Sequence, residues 1–245
     1  MPAMGEPPQI VARAPSAAGE VVLRRRGIGG ALELIIDGVF AMDTVDVSTE
    51  TAMAGTGLAS HPCPQRVLVG GLGLGFTTRA VLGDERVSSL DVVELAEPLV
   101  RWCAAQVVPE FAGLSNDDRL HLYCGDVLDT LEVPSSADRG RLPSGPWDLI
   151  LLDVDNGPDF LIRPGNASLY QPPLASAALK QLIPGGHLVI WSSHPAPALL
   201  SVLAEAADQV GGQAEEEILT VRRDGRVLTY ALYRLSRPAA AVAGS

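Results

Sequence analysis

The feature that most constrains the fold is the stretch 67–77, where an apolar run leads into a glycine-rich turn. Glycine occupies every second position of the turn, at Gly71, Gly73 and Gly75. Glycine adopts positive φ without a steric penalty and has no Cβ, so a ligand can lie directly against the backbone. The pattern predicts a buried parallel strand, a tight turn and the start of a helix, whose free N–H groups can bind a polar ligand group.

A second apolar run, residues 91–94, ends in the acidic residue Glu94. The spacing from the glycine turn is about twenty residues, which is typical of sheets that bind a nucleoside. In such sheets the carboxylate at this place binds the ribose hydroxyl groups. The turn and Glu94 together predict a nucleoside site.

Strands and helices alternate through most of the chain. The predicted strands are 89–94, 119–123, 147–153 and 187–191, followed by a closing hairpin of 217–221 and 226–235 around a turn at Asp224-Gly225; the predicted helices include 97–111, 175–182 and 197–210. This order predicts an α/β, Rossmann-like fold with a seven-stranded, mostly parallel, doubly wound sheet and a terminal antiparallel strand. Glu94, Asp126 and Asp153 follow strands, so they are expected at the ligand-binding edge of the sheet.

Four segments are predicted along the chain. Residues 1–18 and 238–245 are rich in small residues and are expected to be disordered tails. Residues 19–60 form a small antiparallel β unit with a linking helix, because two β-rich runs flank glycine turns. Residues 61–237 form the main, ligand-binding domain.

Composition narrows the choice of partners. The formal net charge of −11 argues against a nucleic-acid partner. Cys63, Cys103 and Cys124 lack metal-ligand spacing, so no metal site is expected, and they are interpreted as reduced thiols of a cytoplasmic protein. The sequence shows neither a long apolar run nor a signal-peptide pattern, so no membrane association is expected.

These features resemble the spermidine synthase family, within the class I S-adenosylmethionine-dependent methyltransferase fold. The matching segments are 67–79, 92–95, 125–127, 147–153 with Asp155, 169–170 and 182–186. Their order and spacing hold over roughly residues 20–235, so the resemblance covers most of the chain. The N-terminal β unit is also typical of that family.

The resemblance implies roles for individual residues. The glycines of the turn would lie under the methionine part of the cofactor, Glu94 would hold the ribose, and Asp126 and the Val127 N–H would bind adenine. Asp153 would lie beside the transferred group and accept the proton or charge of an attacking amine. The implied cofactor-binding set is Gly71, Gly73, Gly75, Glu94, Leu95, Gly125, Asp126, Val127 and Asp153.

Further polar residues follow the later strands. Asp155 and Asn156 are candidates for binding substrate or for shaping a turn. Asn166 and Tyr170 lie in the connection after the fourth strand, where this fold binds its acceptor. His194 follows the fifth strand and is a candidate catalytic base beside Asp153, the alternative being a solvated loop histidine.

The chain departs from the family at three places. Leu74 stands where the family has the aspartate that binds the aminopropyl amine. Ser48-Thr49-Glu50 replaces the family's Tyr-His-Glu motif, and residues 153–158 replace its Asp-Ser-Thr-Asp-Pro signature. These departures predict a methyltransferase that uses S-adenosylmethionine on a small molecule.

Three other functions stay open. The first is an aminopropyltransferase that uses decarboxylated S-adenosylmethionine. The second is a binding module without catalysis, and the third, more distant, is a dehydrogenase. The acidic residues Asp153 and Asp155 favour an amine-containing small-molecule acceptor, and the resemblance suggests a homodimer, with the N-terminal β unit as a candidate interface.

Overall fold

The computed structural model describes residues 7–27, 29–132, 141–223 and 225–240. The strands are β1 Gln9–Ser16, β2 Gly19–Arg25, β3 Leu32–Ile36, β4 Val39–Asp43, β5 Arg66–Gly70, β6 Ser89–Glu94, β7 Leu120–Cys124, β8 Trp147–Leu152, β9 Leu182–Ser192, β10 Gln213–Arg223 and β11 Arg226–Ser236. The helices are α1 Ser48–Ser60, α2 Phe76–Leu82, α3 Glu97–Ala104, α4 Val127–Leu131, α5 Pro172–Gln181 and α6 Pro197–Asp208. Short 3-10 helices cover Pro109–Phe111, Leu114–Asn116 and Pro164–Tyr170.

The main sheet has seven strands in the order β10-β11-β9-β8-β5-β6-β7. Strands β5, β6, β7, β8 and β9 pair in parallel, while β11 runs antiparallel to both β9 and β10. The predicted α/β fold with a mostly parallel seven-stranded sheet is therefore confirmed. Because β5, β6, β7 and β8 point the same way, the residues that follow them meet at one edge of the sheet.

A second sheet of four antiparallel strands, β1-β2-β3-β4, precedes the main sheet. Its hairpin turn at Asp37 and Gly38 has positive φ at both positions, 50° and 78°, which suits a two-residue connection. Strand β1 departs from the prediction of a disordered tail over 1–18. Seven of its residues pair with β2, and backbone pairing of this kind stabilises a strand whose side chains are mostly exposed.

The small sheet shares a hydrophobic core with the main sheet. Leu23, Leu32 and Leu34 of the small sheet belong to the same buried cluster as Val69 of β5 and Leu149 of β8. A second cluster on the other face of the main sheet involves helices α5 and α6. The small sheet is thereby held against the ligand-binding edge, which places β4 and the start of α1 near the ends of β5 and β8.

Some predicted features fall outside the described residues. These are residues 1–6 and 241–245 of the two predicted tails and Asp224 of the last hairpin turn. Among the described helices, none has the length and apolar character needed to cross a membrane.

Candidate active site

The glycine turn after β5 is closely packed and requires glycine. Gly71 has a φ of 94°, and a Cβ added to it would lie 2.1 Å from the Asp153 carbonyl oxygen. Gly73 has a φ of 51°, and its Cβ would lie 2.8 Å from the Met42 sulfur. A side chain at Gly71 would clash with the backbone after β8, and one at Gly73 would press on Met42, so the packing around the turn requires glycine. Both glycines also line the first cavity described below.

Glu94 ends β6 and holds the turn in place. Its carboxylate accepts hydrogen bonds from the backbone N–H of Leu72 at 2.8 Å and of Ala96 at 2.7 Å. Burial raises the pKa of this carboxyl, and the two N–H groups oppose the rise. Glu94 therefore couples β6 to the glycine turn and presents an acceptor at the edge where a ribose is expected.

Asp126 follows β7 and caps α4, since its carboxylate accepts from the Leu128 N–H at 3.0 Å. Its second oxygen lies 2.8 Å from the Arg163 guanidinium. The cap orients the carboxylate, and Arg163 provides a counter-charge from the segment after β8. A polar group that binds Asp126 thus competes with Arg163.

Asp153 follows β8 and lies against the glycine turn. Its backbone N–H donates to the Gly70 carbonyl at 2.8 Å, and its carboxylate accepts from the Thr77 hydroxyl at 2.9 Å. Burial, with a smaller repulsion from Glu94, raises the pKa of the Asp153 carboxyl to about 6. A positive charge placed nearby would stabilise the Asp153 carboxylate and so offset both effects.

One cavity, here the first cavity, brings most of the predicted site together. The predicted residues that line it are Gly71, Gly73, Glu94, Leu95, Gly125, Asp126, Val127, Asp153, Asp155, Asn156 and Asn166. Gly75, Tyr170 and His194 are not among its lining residues. Gly75 instead begins α2 with a φ of 83°.

Asp155 and Asn166 stabilise the loop after β8. Asp155 is buried and accepts from the Asn166 side-chain amide at 2.7 Å and from the Ile162 N–H. Tyr170 is buried nearby, and its hydroxyl has no hydrogen-bond partner among the described residues. Burial raises the pKa of Tyr170, so its hydroxyl stays protonated and available as a donor.

Asn156 and His194 lie where the loop after β8 meets the end of β9. The Asn156 carbonyl accepts from the Ser193 N–H at 3.2 Å, which ties the loop to the end of β9. His194 Nε2 lies 3.0 Å from Asp159, and the ring packs against Phe160. The structure thus places His194 with an exposed carboxylate and outside the lining of the first cavity, and its predicted role as a base stays a prediction.

A second cavity adjoins the first. It is lined by Phe40, Asp43, Asp46, Phe160, Arg223 and Tyr230, among others. Both cavities share Ala41, Met42, Glu50, Asn156 and Trp191, here called the junction. Glu50 and Trp191 were absent from the predicted site set. The Ser48-Thr49-Glu50 motif was the available signal for Glu50, whereas Trp191 resembled an ordinary core residue.

In the part of the chain that the structure describes, no three His, Cys, Asp or Glu side chains are grouped so that they could hold a metal ion.

Known proteins of similar sequence are named spermidine synthase or polyamine aminopropyltransferase. The chain is 29% identical over 154 residues to a spermidine synthase of Solanum lycopersicum, covering 62% of this chain and 41% of the relative. It is 29% identical over 163 residues to polyamine aminopropyltransferase 2 of Bacillus cereus, covering 65% and 39%, and 29% identical over 191 residues to that of Hyperthermus butylicus, covering 75% and 57%. The chain spans about half the length of these curated relatives, and no family model matches it.

Solved structures agree on the fold. A spermidine synthase in complex with the transition-state analogue AdoDATO superposes with a TM-score of 0.70 at 16% identity, covering 96% of this chain and 75% of the other. The spermidine synthase of Thermotoga maritima gives a TM-score of 0.68 over similar shares. The chain therefore has the Rossmann-like fold of these spermidine synthase structures. Its sequence is similar to spermidine synthases and polyamine aminopropyltransferases, the resemblance that the motifs predicted.

The prediction of a methyltransferase is wrong in light of these relatives. The relatives described above are spermidine synthases or polyamine aminopropyltransferases by name. The prediction gave too much weight to Leu74, which the structure buries completely. A missing carboxylate at one position says little about a cavity whose other carboxylates come from distant segments.

Proposed function

We propose that the chain is an aminopropyltransferase that moves the aminopropyl group of decarboxylated S-adenosylmethionine to a small amine. The observation that carries the proposal is the charge of the first cavity. Five carboxylates line it, from Glu50, Glu94, Asp126, Asp153 and Asp155. The names of the related proteins point to the same reaction class.

The charge of the cavity suits the decarboxylated donor. That donor carries a sulfonium and an ammonium group and no carboxylate, whereas S-adenosylmethionine adds a carboxylate. Among the described lining residues, Arg163 provides the one guanidinium, and it is paired with Asp126. A donor carboxylate would therefore lie among carboxylates, and like charges at close range disfavour its binding.

The cavity lining also fits the neutral parts of a nucleoside donor. Gly71 and Gly73 line the cavity and have no side chain, so the aliphatic chain that follows the ribose can lie against their backbone. Glu94 and Asp126 provide acceptors for the ribose and base. Leu95, Leu99 and Val127 provide apolar contacts on the same side.

The reaction requires the chain to align the amine with the donor and to accept a proton, and it does not require activation of the donor. The amine lone pair attacks the carbon next to the sulfonium, the C–N bond forms as the C–S bond breaks, and the electron pair goes to sulfur. The products are a neutral thioether nucleoside, a longer amine and one proton. The residues of the chain hold the two reactants in line and take up the proton.

The test is a turnover assay with two donors. Purified protein is incubated with decarboxylated or ordinary S-adenosylmethionine and a panel of linear diamines and triamines, and products are separated by chromatography with mass detection. We expect methylthioadenosine and the aminopropylated amine from the decarboxylated donor alone. Absence of both products across the panel, or turnover of the carboxylated donor, would overturn the proposal.

The remaining expectations about partners are part of the proposal. The acceptor is a small cationic amine, which agrees with the acidic lining of both cavities. A homodimer, a cytoplasmic location and the absence of a nucleic-acid partner stay predictions from the sequence.

A further inference from the structure

The second cavity contains a large share of the aromatic side chains of the protein. The chain has four Phe, three Trp and four Tyr residues, which is only 4% of its length. Phe40, Phe160, Trp191 and Tyr230 line the second cavity, and they come from β4, the loop after β8, β9 and β11. Trp191 belongs to the junction. The lining beyond the junction, which includes Phe40, Phe160 and Tyr230, is here called the outer part.

Trp191 and Tyr230 form an aromatic wall of the second cavity. Trp191 is opposite Leu232 in the ladder between β9 and β11. Tyr230 lies two residues before Leu232, so its side chain is on the same face of the sheet as that of Trp191. The two ring centroids are 5.7 Å apart, and the ring planes are tilted by 35°. Rings in such an arrangement attract each other, which holds the wall in place before a ligand binds.

Phe40 and Phe160 leave much of their surface in contact with water. Their exposed fractions are 43% and 63%, although Phe160 packs edge-on against His194 with the ring centroids 5.3 Å apart. The second cavity has a volume of about 340 Å³. Pockets of about 300–1,000 Å³ hold small-molecule ligands. An aromatic group in this cavity would remove apolar ring surface from water, which favours its binding.

The charged groups of the outer part are already engaged with one another. Among the described residues, its carboxylates are Asp43 and Asp46. Asp43 has 1% of its side chain exposed and pairs with Arg26 at 2.5 Å and with Arg223. Asp46 accepts a hydrogen bond from the Ser48 backbone N–H at 2.9 Å. Because Arg223 lines the outer part as well, the second ammonium group of a linear diamine would meet a guanidinium and two engaged carboxylates there.

We propose that the second cavity selects arylalkylamines as acceptors over linear diamines, an arylalkylamine being a primary amine joined to an aromatic ring by a short aliphatic linker. This inference rests on the proposed function. There the donor occupies the first cavity, and the second cavity adjoins it at the junction. The amine of the acceptor lies at the junction, and its ring lies in the outer part against Trp191 and Tyr230.

The bond changes are those of the aminopropyl transfer. The acceptor enters with one positive charge, loses one proton to water and attacks as the neutral amine. The C–N bond forms as the C–S bond breaks, and the electron pair goes to sulfur. The product is a secondary amine that carries the ring and the aminopropyl group. The ring itself makes no bond, so its contacts act on the selectivity between acceptors, which kcat/KM measures.

The test compares acceptors of the wild-type protein with decarboxylated S-adenosylmethionine as donor. The acceptors are phenylalkylamines with linkers of two to four carbons, the cyclohexyl analogue of the best of them, and 1,4-diaminobutane. We expect kcat/KM of the best phenylalkylamine to exceed that of 1,4-diaminobutane about tenfold or more. It should exceed that of the cyclohexyl analogue about threefold or more, because a cyclohexyl ring cannot stack on the aromatic wall.

Two variants act on the selectivity from opposite sides. Tyr230→Leu removes one ring of the wall and should lower the phenylalkylamine to diamine ratio of kcat/KM about tenfold, through the phenylalkylamine. Arg223→Gln should lower the ratio by a similar factor through a gain in diamine turnover, while Asp43 keeps its pair with Arg26. Arg222→Gln is the matched control, because Arg222 is exposed and neighbouring residues of β10 face opposite sides. It should leave the ratio within about twofold.

The outcomes separate the acceptor class from the proposed function. A phenylalkylamine kcat/KM no higher than that of 1,4-diaminobutane, or an unchanged ratio in Tyr230→Leu, overturns the selectivity and leaves the transferase. A ratio that falls as far in Arg222→Gln as in Arg223→Gln overturns the part assigned to the charge of the outer part. Absence of product from every amine with the decarboxylated donor overturns the proposed function and the acceptor class with it.

Discussion

The two sides of the first cavity are built in different ways. On the strand-edge side, Gly71, Glu94 and Asp126 lie at or within two residues of the end of a parallel strand, and backbone groups hold them. At the junction, Glu50 comes from α1 and Trp191 from β9, and both meet a loop after β8. The strand-edge side depends on backbone geometry, while the junction depends on how separate elements pack.

The difference has an electrostatic consequence. Glu94 is buried but receives two backbone N–H groups, which stabilise its charge. Glu50 is also buried, receives one hydroxyl and is repelled by Asp153. The strand-edge side is thus organised before a ligand binds. At the junction, the Glu50 carboxylate is repelled by Asp153, and a cationic ligand would reduce this repulsion.

The largest effect should come from Gly71→Ala, which tests the backbone geometry of the strand-edge side. The new Cβ would lie 2.1 Å from a backbone oxygen at a φ of 94°, so we expect a loss of about 3 kcal/mol or more in the free energy of unfolding. Gly211→Ala is the control, since its φ is 72° with open space around it, and it should cost about 1 kcal/mol. Equal losses in urea denaturation would contradict the role of the close contact.

The second-largest effect concerns the buried Glu50 carboxylate at the junction, whose removal should change the free energy of unfolding in a pH-dependent way. The pKa of Glu50 in the folded state, about 7, lies above the ordinary value of 4.5, so the folded state loses stability as pH rises between these values. Glu50→Gln should therefore stabilise the protein, and the gain at pH 8 should exceed that at pH 5.5 by about 2 kcal/mol. Urea denaturation at both pH values measures this. A gain in stability that does not change with pH would show that the folded state does not destabilise the ionised Glu50 carboxylate.

A smaller effect is expected for ligand binding on the strand-edge side. Glu94→Gln removes a charged acceptor, so methylthioadenosine should bind about tenfold more weakly. Glu97→Gln is the matched control, because Glu97 is exposed and pairs with Arg101 at the surface. Calorimetric titration distinguishes the two, and equal affinities would place the ribose elsewhere.

The smallest effect compares two ligands across pH. Asp153, with a pKa of about 6, must be ionised to attract the donor's cationic groups. Binding of decarboxylated S-adenosylmethionine should therefore weaken at least about fourfold from pH 7.5 to pH 5.5. Methylthioadenosine carries no charge and should show little change. The same pH dependence for both ligands would argue against a charge-based distinction between the donor and its product.

Much of the strand-edge side was predictable from local patterns. Gly71, Gly73, Glu94 and Asp126 lie within a few residues of apolar strands, and parallel strands bring their carboxyl ends together. The fold class followed from the same alternation. Strand β1 was missed because its small and polar residues carry no apolar alternation, and pairing with β2 organises it.

The choice between transfer reactions was misjudged for a related reason. Leu74 lies within the motif and was given weight as a lost ligand, yet its side chain is fully buried and does not line the first cavity. Glu50 lies outside the glycine motif, and only packing brings it near Asp153. A motif records the residues of one segment, while the charge of a cavity is the sum over several segments.

The parallel sheet, the glycine turn and the acidic residues along one edge could be predicted from local sequence, because they depend on the order of apolar runs and on the conformations open to glycine. The tertiary structure alone decided that Glu50 and Asp153 repel each other across a cavity and that His194 pairs with Asp159 outside it. Burial and distance between segments far apart in the chain set these interactions.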